Sequence, residues 1–309
     1  MKSVNCWLFK YPEPTLLDCG ENTKESWEAL LVGLKTNGLA IKDINKIVIT
    51  HAHVDHMGMA SRVAQESGAK VYLSEYASDW AEHVEVMWNQ RTKLIRQTFV
   101  ELIDTTSPIL QFFNSQNSGF NQILNMWEAI PSDRVAKFES RDGIEMGGRQ
   151  WEVIYAPGHS SSQTVFFDPH SREIMSADML LAITPTPVIE FDPIESDKRQ
   201  MGLPKMLESF HKMKALNISI AYPGHYAPFE QVNDVIDTQL TRIETRLEFA
   251  LTKIKDGIKD FDRLFLELYP KRAHFPALVM MIGYLDVLED RGLIRKEKDE
   301  NDKFKFYPI

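Results

Sequence analysis

Three histidines and an aspartate fall within six residues, His51, His53, Asp55 and His56, in the stretch IVITHAHVDHMG from Ile47 to Gly58. Imidazole and carboxylate are the nitrogen and oxygen donors that hold zinc-type metals. The cluster directly follows Lys46-Ile47-Val48-Ile49, a β-branched run that reads as a buried strand. It therefore occupies a loop at a strand's carboxyl end, where open α/β sheets place their sites.

Three later donors repeat that placement. His159 follows a strand over Trp151 to Tyr155, Asp178 ends one over Glu173 to Ala177, and His225 follows one over Ile218 to Tyr222. Four strand ends thus deliver seven donors to one edge of a sheet. The set contains no cysteine and suits two zinc ions, or iron or manganese. A metal-bound water has a pKa of roughly 7, so hydroxide is present at neutral pH. Two ions about 3.5–4 Å apart hold that nucleophile and stabilise a departing oxygen or sulfur. Gly158 and Gly224 let the backbone pass close to the site.

The elements that position these donors alternate between strand and helix. Val4 to Lys10 and Thr15 to Leu17 read as strands, the second closed by Asp18-Cys19-Gly20. Glu25 to Leu34 reads as an amphipathic helix capped by Asn22 or Thr23 and ended at Asn37-Gly38. A helix over Met57 to Glu66 stops at Gly68, and Lys70 to Leu73 and Val135 to Phe138 are further strands. Between these two strands, from about 75 to 134, Trp80, Val84, Trp88, Leu94, Ile95 and Phe99 recur at helical spacing, with Phe112, Phe113, Phe120 and Trp127 beyond. This helical insertion either packs on itself or roofs the metal loop as a lid or acyl pocket. A helix over Ser196 to Lys214 follows, then a charged helix over Thr238 to Lys255. Helices over Phe261 to Leu268 and Pro276 to Glu289 lead to a terminal hairpin, the pattern of a small winged-helix module. The division expected is 1–235 for the main domain and 236–309 for the bridging helix and winged-helix-like part.

With 309 residues the chain exceeds what one compact core usually takes. Its formal net charge of −9 disfavours a general polyanion binder. No apolar run approaches ~18 residues, and the start lacks the apolar core of a signal peptide. Cys6 and Cys19 form neither a disulfide framework nor a zinc spacing. Cytoplasmic residence without a membrane partner is the expectation, and both cysteines read as small buried residues.

THAHVDH, APGHS, SAD and YPGH, in this order and spacing, resemble the metallo-β-lactamase superfamily, most closely its glyoxalase II and lactonase-like hydrolases, which carry a His after the motif Asp. The resemblance covers about Met1 to Pro228; the C-terminal part is similar to the winged-helix segment of one hydrolase branch that includes an RNA-cleaving member. It implies an α/β fold, a four-layer αββα sandwich. It implies that His51, His53 and His159 hold a first metal, that Asp55, His56 and His225 hold a second, and that Asp178 bridges them. Asp18 either orients a ligand imidazole or caps a loop, and Tyr226 either donates to an oxyanion or packs. Arg91, Lys93 and Arg96 read as a solvated helix face, and His83, His170, His211 and His274 lie outside every motif. Ser160-Ser161-Ser162-Gln163 departs from the commoner Thr-Pro-Gly-containing turn, which puts the pocket beside His159 in doubt.

The function expected is a dinuclear hydrolase acting on a small-molecule carboxylic ester, thioester or lactone through a metal-bound hydroxide, with Asp55, Asp178 and Tyr226 in catalytic roles. The alternative is a metal-dependent endoribonuclease. Nucleic acid is disfavoured because the candidate recognition helix carries Asp286, Glu289 and Asp290 and no Lys or Arg. That module is expected to pack on the main domain or on a second subunit, giving a homodimer.

Overall fold

The computed structural model describes residues 3–115, 122–138, 143–183, 185–195, 197–270 and 274–309, the side chains of 112–115 excepted. One sheet runs β1 (Trp7–Phe9), β2 (Thr15–Leu17), β3 (Lys46–Val48), β4 (Lys70–Ser74) and β5 (Val135–Phe138), in that spatial order. Strands β2 to β5 are parallel and β1 is an antiparallel edge. The second sheet comprises β6 (Gly143–Met146), β7 (Arg149–Tyr155), β8 (Thr164–Asp168), β9 (Glu173–Ala177), β10 (Ile220–Pro223) and β11 (Phe229–Glu230). Its spatial order is β11-β10-β9-β8-β7-β6.

The two-residue period of the strands sorts their side chains between layers. Leu17 and Val48 meet Trp151, Phe166 and Met175 in an inner core between the sheets. Their neighbours Leu16 and Ile47 face outward and are covered by Leu30 and Leu34 of α1 (Lys24–Thr36) and Val63 of α3 (Ala60–Ser67). Val165, Phe167 and Ile174 face the other way, beneath α7 (Gly202–Ala215), α8 (Val232–Lys255) and α10 (Phe275–Asp290). The result is the expected four-layer αββα sandwich. Thr23 caps α1 by accepting from Ser26 N–H at 3.2 Å. Helix α7 begins at Gly202, not Ser196; the lead-in is instead held by an isolated bridge between Phe191 and Arg199.

The insertion carries α4 (Ser78–Glu82), α5 (Val84–Leu102) and α6 (Pro108–Ser115). Trp80, Val84, Trp88 and Trp127 join the outer core of the first sheet, with Trp80 and Trp127 stacked at 5.4 Å. Leu94, Ile95, Phe99 and Ile103 join the outer core of the second. Helix α5 therefore straddles both layers, and its aromatic stripe is consumed in packing. Phe120 and the side chains of Phe112 and Phe113 lie outside the described residues.

Beyond α8 come α9 (Phe261–Leu268), α10 and the hairpin of β12 (Ile294–Lys298) with β13 (Phe304–Pro308). Helix α10 is buried continuously from Ala277 to Leu288 and shares one core with the second sheet. Arg199 grips its Asp286 through two bonds of 2.6 and 2.8 Å. The division expected at 235/236 falls within α8, which is a single continuous helix. Among the described residues, no helix is long and apolar enough to cross a membrane.

Candidate metal centre

In the second sheet β8 is antiparallel to both β7 and β9, and β10 is parallel to β9, so β7, β9 and β10 point the same way. Their ends carry His159, Asp178 and His225. The ends of β2 and β3, from the other sheet, carry Asp18 and His51. The donors thus meet at an edge shared by two sheets, where the sequence reading placed them at one sheet's edge. His53 precedes α2 (Val54–Met57), a single helical turn that presents Asp55 and His56. Gly224 is required here: a Cβ on it would lie 2.3 Å from Asp178 Oδ1 and 2.7 Å from His56 Cε1. Gly158, at φ +148°, makes its close approach to Met206 of α7 and not to the donors. Asp18, Ala177 and Tyr226 all adopt positive φ around this edge, strain of a kind that clusters at functional sites.

The structure brings all seven donors together. His51 Nε2 and His159 Nε2 lie 3.0 and 3.1 Å from His53 Nδ1. Asp178 stands between the two halves, with Oδ1 3.5 Å from His56 Nε2, and Oδ2 3.5 Å from His159 Nε2 and 3.3 Å from His225 Nε2. Asp55 Oδ2 is 3.3 Å from His225 Nε2. Three groups therefore have metal-holding geometry: His51, His53 and His159; His51, His56 and Asp178; Asp55, His56 and His225.

The opposite nitrogens of His51, His56, His159 and His225 each have an acceptor outside the cluster, and that of His53 has only an ion-pair contact. His51 Nδ1 faces Thr50 Oγ1 at 2.9 Å, and that hydroxyl donates to Asp18 Oδ2 at 2.8 Å. His56 Nδ1 bonds the same Asp18 oxygen at 2.8 Å. His159 Nδ1 donates to the Thr186 carbonyl at 2.7 Å, and His225 Nδ1 donates to the Ser3 carbonyl. His53 Nε2 faces the carboxylate of Glu190 at 3.3 Å. Protons on the outer nitrogens of His51 and His159, both held neutral by burial, leave bare lone pairs on their inner ones. Lone pairs 3.0 Å apart repel, and His56 Nε2, His225 Nε2 and Asp178 Oδ1 are buried without any hydrogen-bond partner. Cations resolve both problems, so the residues present fit a divalent pair.

The two halves differ electrostatically. Burial, reinforced by neighbouring histidines, holds His51 well below its ordinary pKa, and burial takes His159 down to about 4 despite Asp178. Burial works against protonation of His56 as well, but Asp178, Asp55 and Asp18 outweigh it and push the pKa well up. His225 likewise rises to about 9 against burial, through Asp178 and Asp55. Asp55 and Asp178 are themselves held below the carboxylate range, because their histidine partners outweigh burial.

Glu190 is the functional residue that the sequence reading missed. It is buried in the proline-rich loop before α7. Its Oε2 accepts from Ser161 N–H at 2.7 Å, Ser161 Oγ at 2.8 Å and Ser160 Oγ at 3.1 Å. Its Oε1 is left for His53 and for Arg91, 3.5 Å away. The serine turn that departs from the family pattern is thus the cradle of this carboxylate, and that departure was the available signal. Arg91 is half-buried and donates to the Ile189 carbonyl at 3.2 Å, which corrects its reading as part of a solvated face. Lys93 and Arg96 are exposed. Asp18 takes the orienting role, serving His56 directly and His51 through Thr50.

Tyr226, next to His225, is 46 % exposed and adopts φ +70°. His83, His170, His211 and His274 are exposed and apart from the centre, with His274 capping α10 through Ala277 N–H. The cleft that reaches Asp55 and His225 is lined from α1, β1 and β2, and among the described residues none of the insertion lines it. The insertion was the expected alternative source of that pocket.

A family model described as the metallo-beta-lactamase superfamily matches residues 2–225. The chain is 25 % identical over 294 residues to "Probable metallo-hydrolase YqjP" of Bacillus subtilis, covering 93 % of this chain and 88 % of that one. A crystal structure of the metallo-beta-lactamase family protein TTHA1429 from Thermus thermophilus superposes with a TM-score of 0.78 at 22 % identity. That match covers 99 % of this chain and 94 % of the other. A beta-lactamase domain protein from Burkholderia ambifaria gives a TM-score of 0.75 at 18 % identity, over 98 % and 87 % of the two chains.

Proposed function

The chain belongs to the metallo-beta-lactamase superfamily, and from that premise we propose that it is a dinuclear metal-dependent hydrolase of carboxylic esters, thioesters or lactones. The observation that carries this reading is the convergence of five imidazole nitrogens, from His51, His53, His56, His159 and His225, on two buried or half-buried carboxylates. His51, His53 and His159 would hold one divalent ion, Asp55, His56 and His225 the other, and Asp178 both. Such ions, when bound, supply Lewis acidity and bring the pKa of a water to roughly 7. The all-nitrogen-and-oxygen set suits zinc, and also iron or manganese.

The chain's own residues do the positioning. Asp18 and Glu190 fix imidazole tautomers from behind. Asp55 and Asp178, ionised across the working range, keep the centre attractive to cations. His56, following the motif Asp55, supports the glyoxalase II and lactonase-like branch. The α9, α10 and β12–β13 segment is read as a winged-helix-like module whose would-be recognition helix is spent on packing, which favours a small-molecule acyl substrate over RNA.

Metal-loaded protein should be screened against esters, thioesters, lactones, β-lactams and short RNAs. Turnover concentrated in the first three classes is expected. Turnover confined to RNA or to β-lactams would overturn the reading.

A further inference from the structure

Asp55 is the most solvent-accessible of the seven donors, with a side chain 34 % exposed against 2–3 % for Asp178 and His225. The side on which it opens is a cleft of about 760 Å³. Leu8, Leu16, Cys19 and Met59 form its floor, and one face of α1 forms its wall. That face consists of Ser26, Ala29, Leu30, Gly33, Leu34 and Asn37, which recur at helical spacing. Its small members leave room: a Cβ on Gly33 would meet nothing within 4 Å. His225, 3 % exposed and with Nε2 unpartnered, lines the inner end. Among the described residues that line it, the charged groups on the rim are Glu21 and Glu25 and none is Lys or Arg. Cys19, fully buried, adds a small side chain to that floor.

We propose that this cleft receives the uncharged aliphatic acyl group of the substrate, with the scissile carbonyl at Asp55 and His225. The assignment rests on the hydrolase reading above and narrows its substrate class. The apolar floor and small residues of the wall favour methylenes, while the acidic rim groups Glu21 and Glu25 repel a carboxylate or phosphate in the same place. The acyl chain therefore carries no anion.

The test uses metal-loaded wild type with p-nitrophenyl acetate, butyrate, hexanoate and octanoate, beside Ala29→Trp and Gly33→Phe, which narrow the cleft at two points on α1. In the wild type, kcat/KM should rise about fourfold per methylene as the chain enters the cleft. Either variant should flatten that slope, lowering the octanoate-to-acetate ratio at least about tenfold. A wild-type profile that is flat or falls with length, or variants that both keep the wild-type slope, would overturn the proposal. If no ester of any length is turned over, the hydrolase reading fails, and binding decides the cleft separately. Octanamide, an uncharged probe, should then displace an apolar fluorescent dye from wild type and bind at least about tenfold more weakly to both variants; equal binding to all three, or none to wild type, would refute the assignment.

Discussion

Glu190 Oε1 lies 3.3 Å from His53 Nε2, on the side of the imidazole turned away from His51 and His159. A carboxylate only accepts, so it requires the proton on Nε2 and leaves Nδ1 bare toward the centre. Glu190→Gln keeps the shape and removes the charge. It should weaken the ion held by His51, His53 and His159 about 10- to 100-fold, read by competition with a chelator. It also removes the counter-charge of half-buried Arg91, which should lower the melting temperature. Unchanged affinity and unchanged melting would remove Glu190 from the account.

Asp18 differs from Glu190 in serving both halves of the centre, reaching His56 directly and His51 through Thr50. Asp18→Asn preserves the φ of 61° that Asn tolerates. Both steps of a metal titration should weaken together, whereas Glu190→Gln should weaken one. Loss confined to a single step in Asp18→Asn would show that the Thr50 relay carries nothing.

The seven donors were legible because each sits at the end of an apolar strand, and both signals are local. Beginnings and ends of Thr15–Leu17, Glu173–Ala177 and Phe261–Leu268 were legible for the same reason. Glu190 was not, because its role arises from two serines some 30 positions earlier and from an arginine on α5, a pairing that only the tertiary fold creates. The insertion's aromatic stripe gave helix but not destination: helical spacing marks a buried face without saying what buries it. The early start assigned to α7 followed composition across Ser196 to Gln200, where Arg199 is drawn away to Asp286. The substrate cleft escaped notice because its wall is marked by the absence of side chains at Ala29 and Gly33.

Metal occupancy should depend on pH in two stages. In the metal-free protein His51 and His159 are neutral at pH 7, so the first ion meets no proton there. His56 and His225, with raised pKa values, are protonated and must release their protons to the solvent before binding. At limiting metal, occupancy should move from one ion to two as pH rises from about 6 to 9, the value near which His225 titrates. Calorimetry in two buffers of different ionisation enthalpy should show proton release mainly in the second stage. Identical proton release in both stages would contradict the asymmetry.

Helix α10 is buried from Ala277 to Leu288 and cannot enter a groove without leaving the core. Acidic residues also interleave with the lysines and arginine of the terminal hairpin segment. At about 0.1 M salt, where exposed charges are already screened, single-stranded RNA should show no tight binding by fluorescence anisotropy. Sub-micromolar affinity falling steeply with salt, with cleavage abolished by His53→Ala, would favour the nuclease reading.

The most direct test of the dinuclear centre is elemental analysis of metal-saturated, buffer-exchanged protein beside Asp178→Ala. Asp178 places one oxygen toward His56 and the other toward His159 and His225, so both ions depend on it. Wild type should carry close to two transition-metal ions per chain, and Asp178→Ala should lose metal together with nearly all turnover. At most one ion in saturated wild type, or two ions retained by Asp178→Ala, would contradict the account.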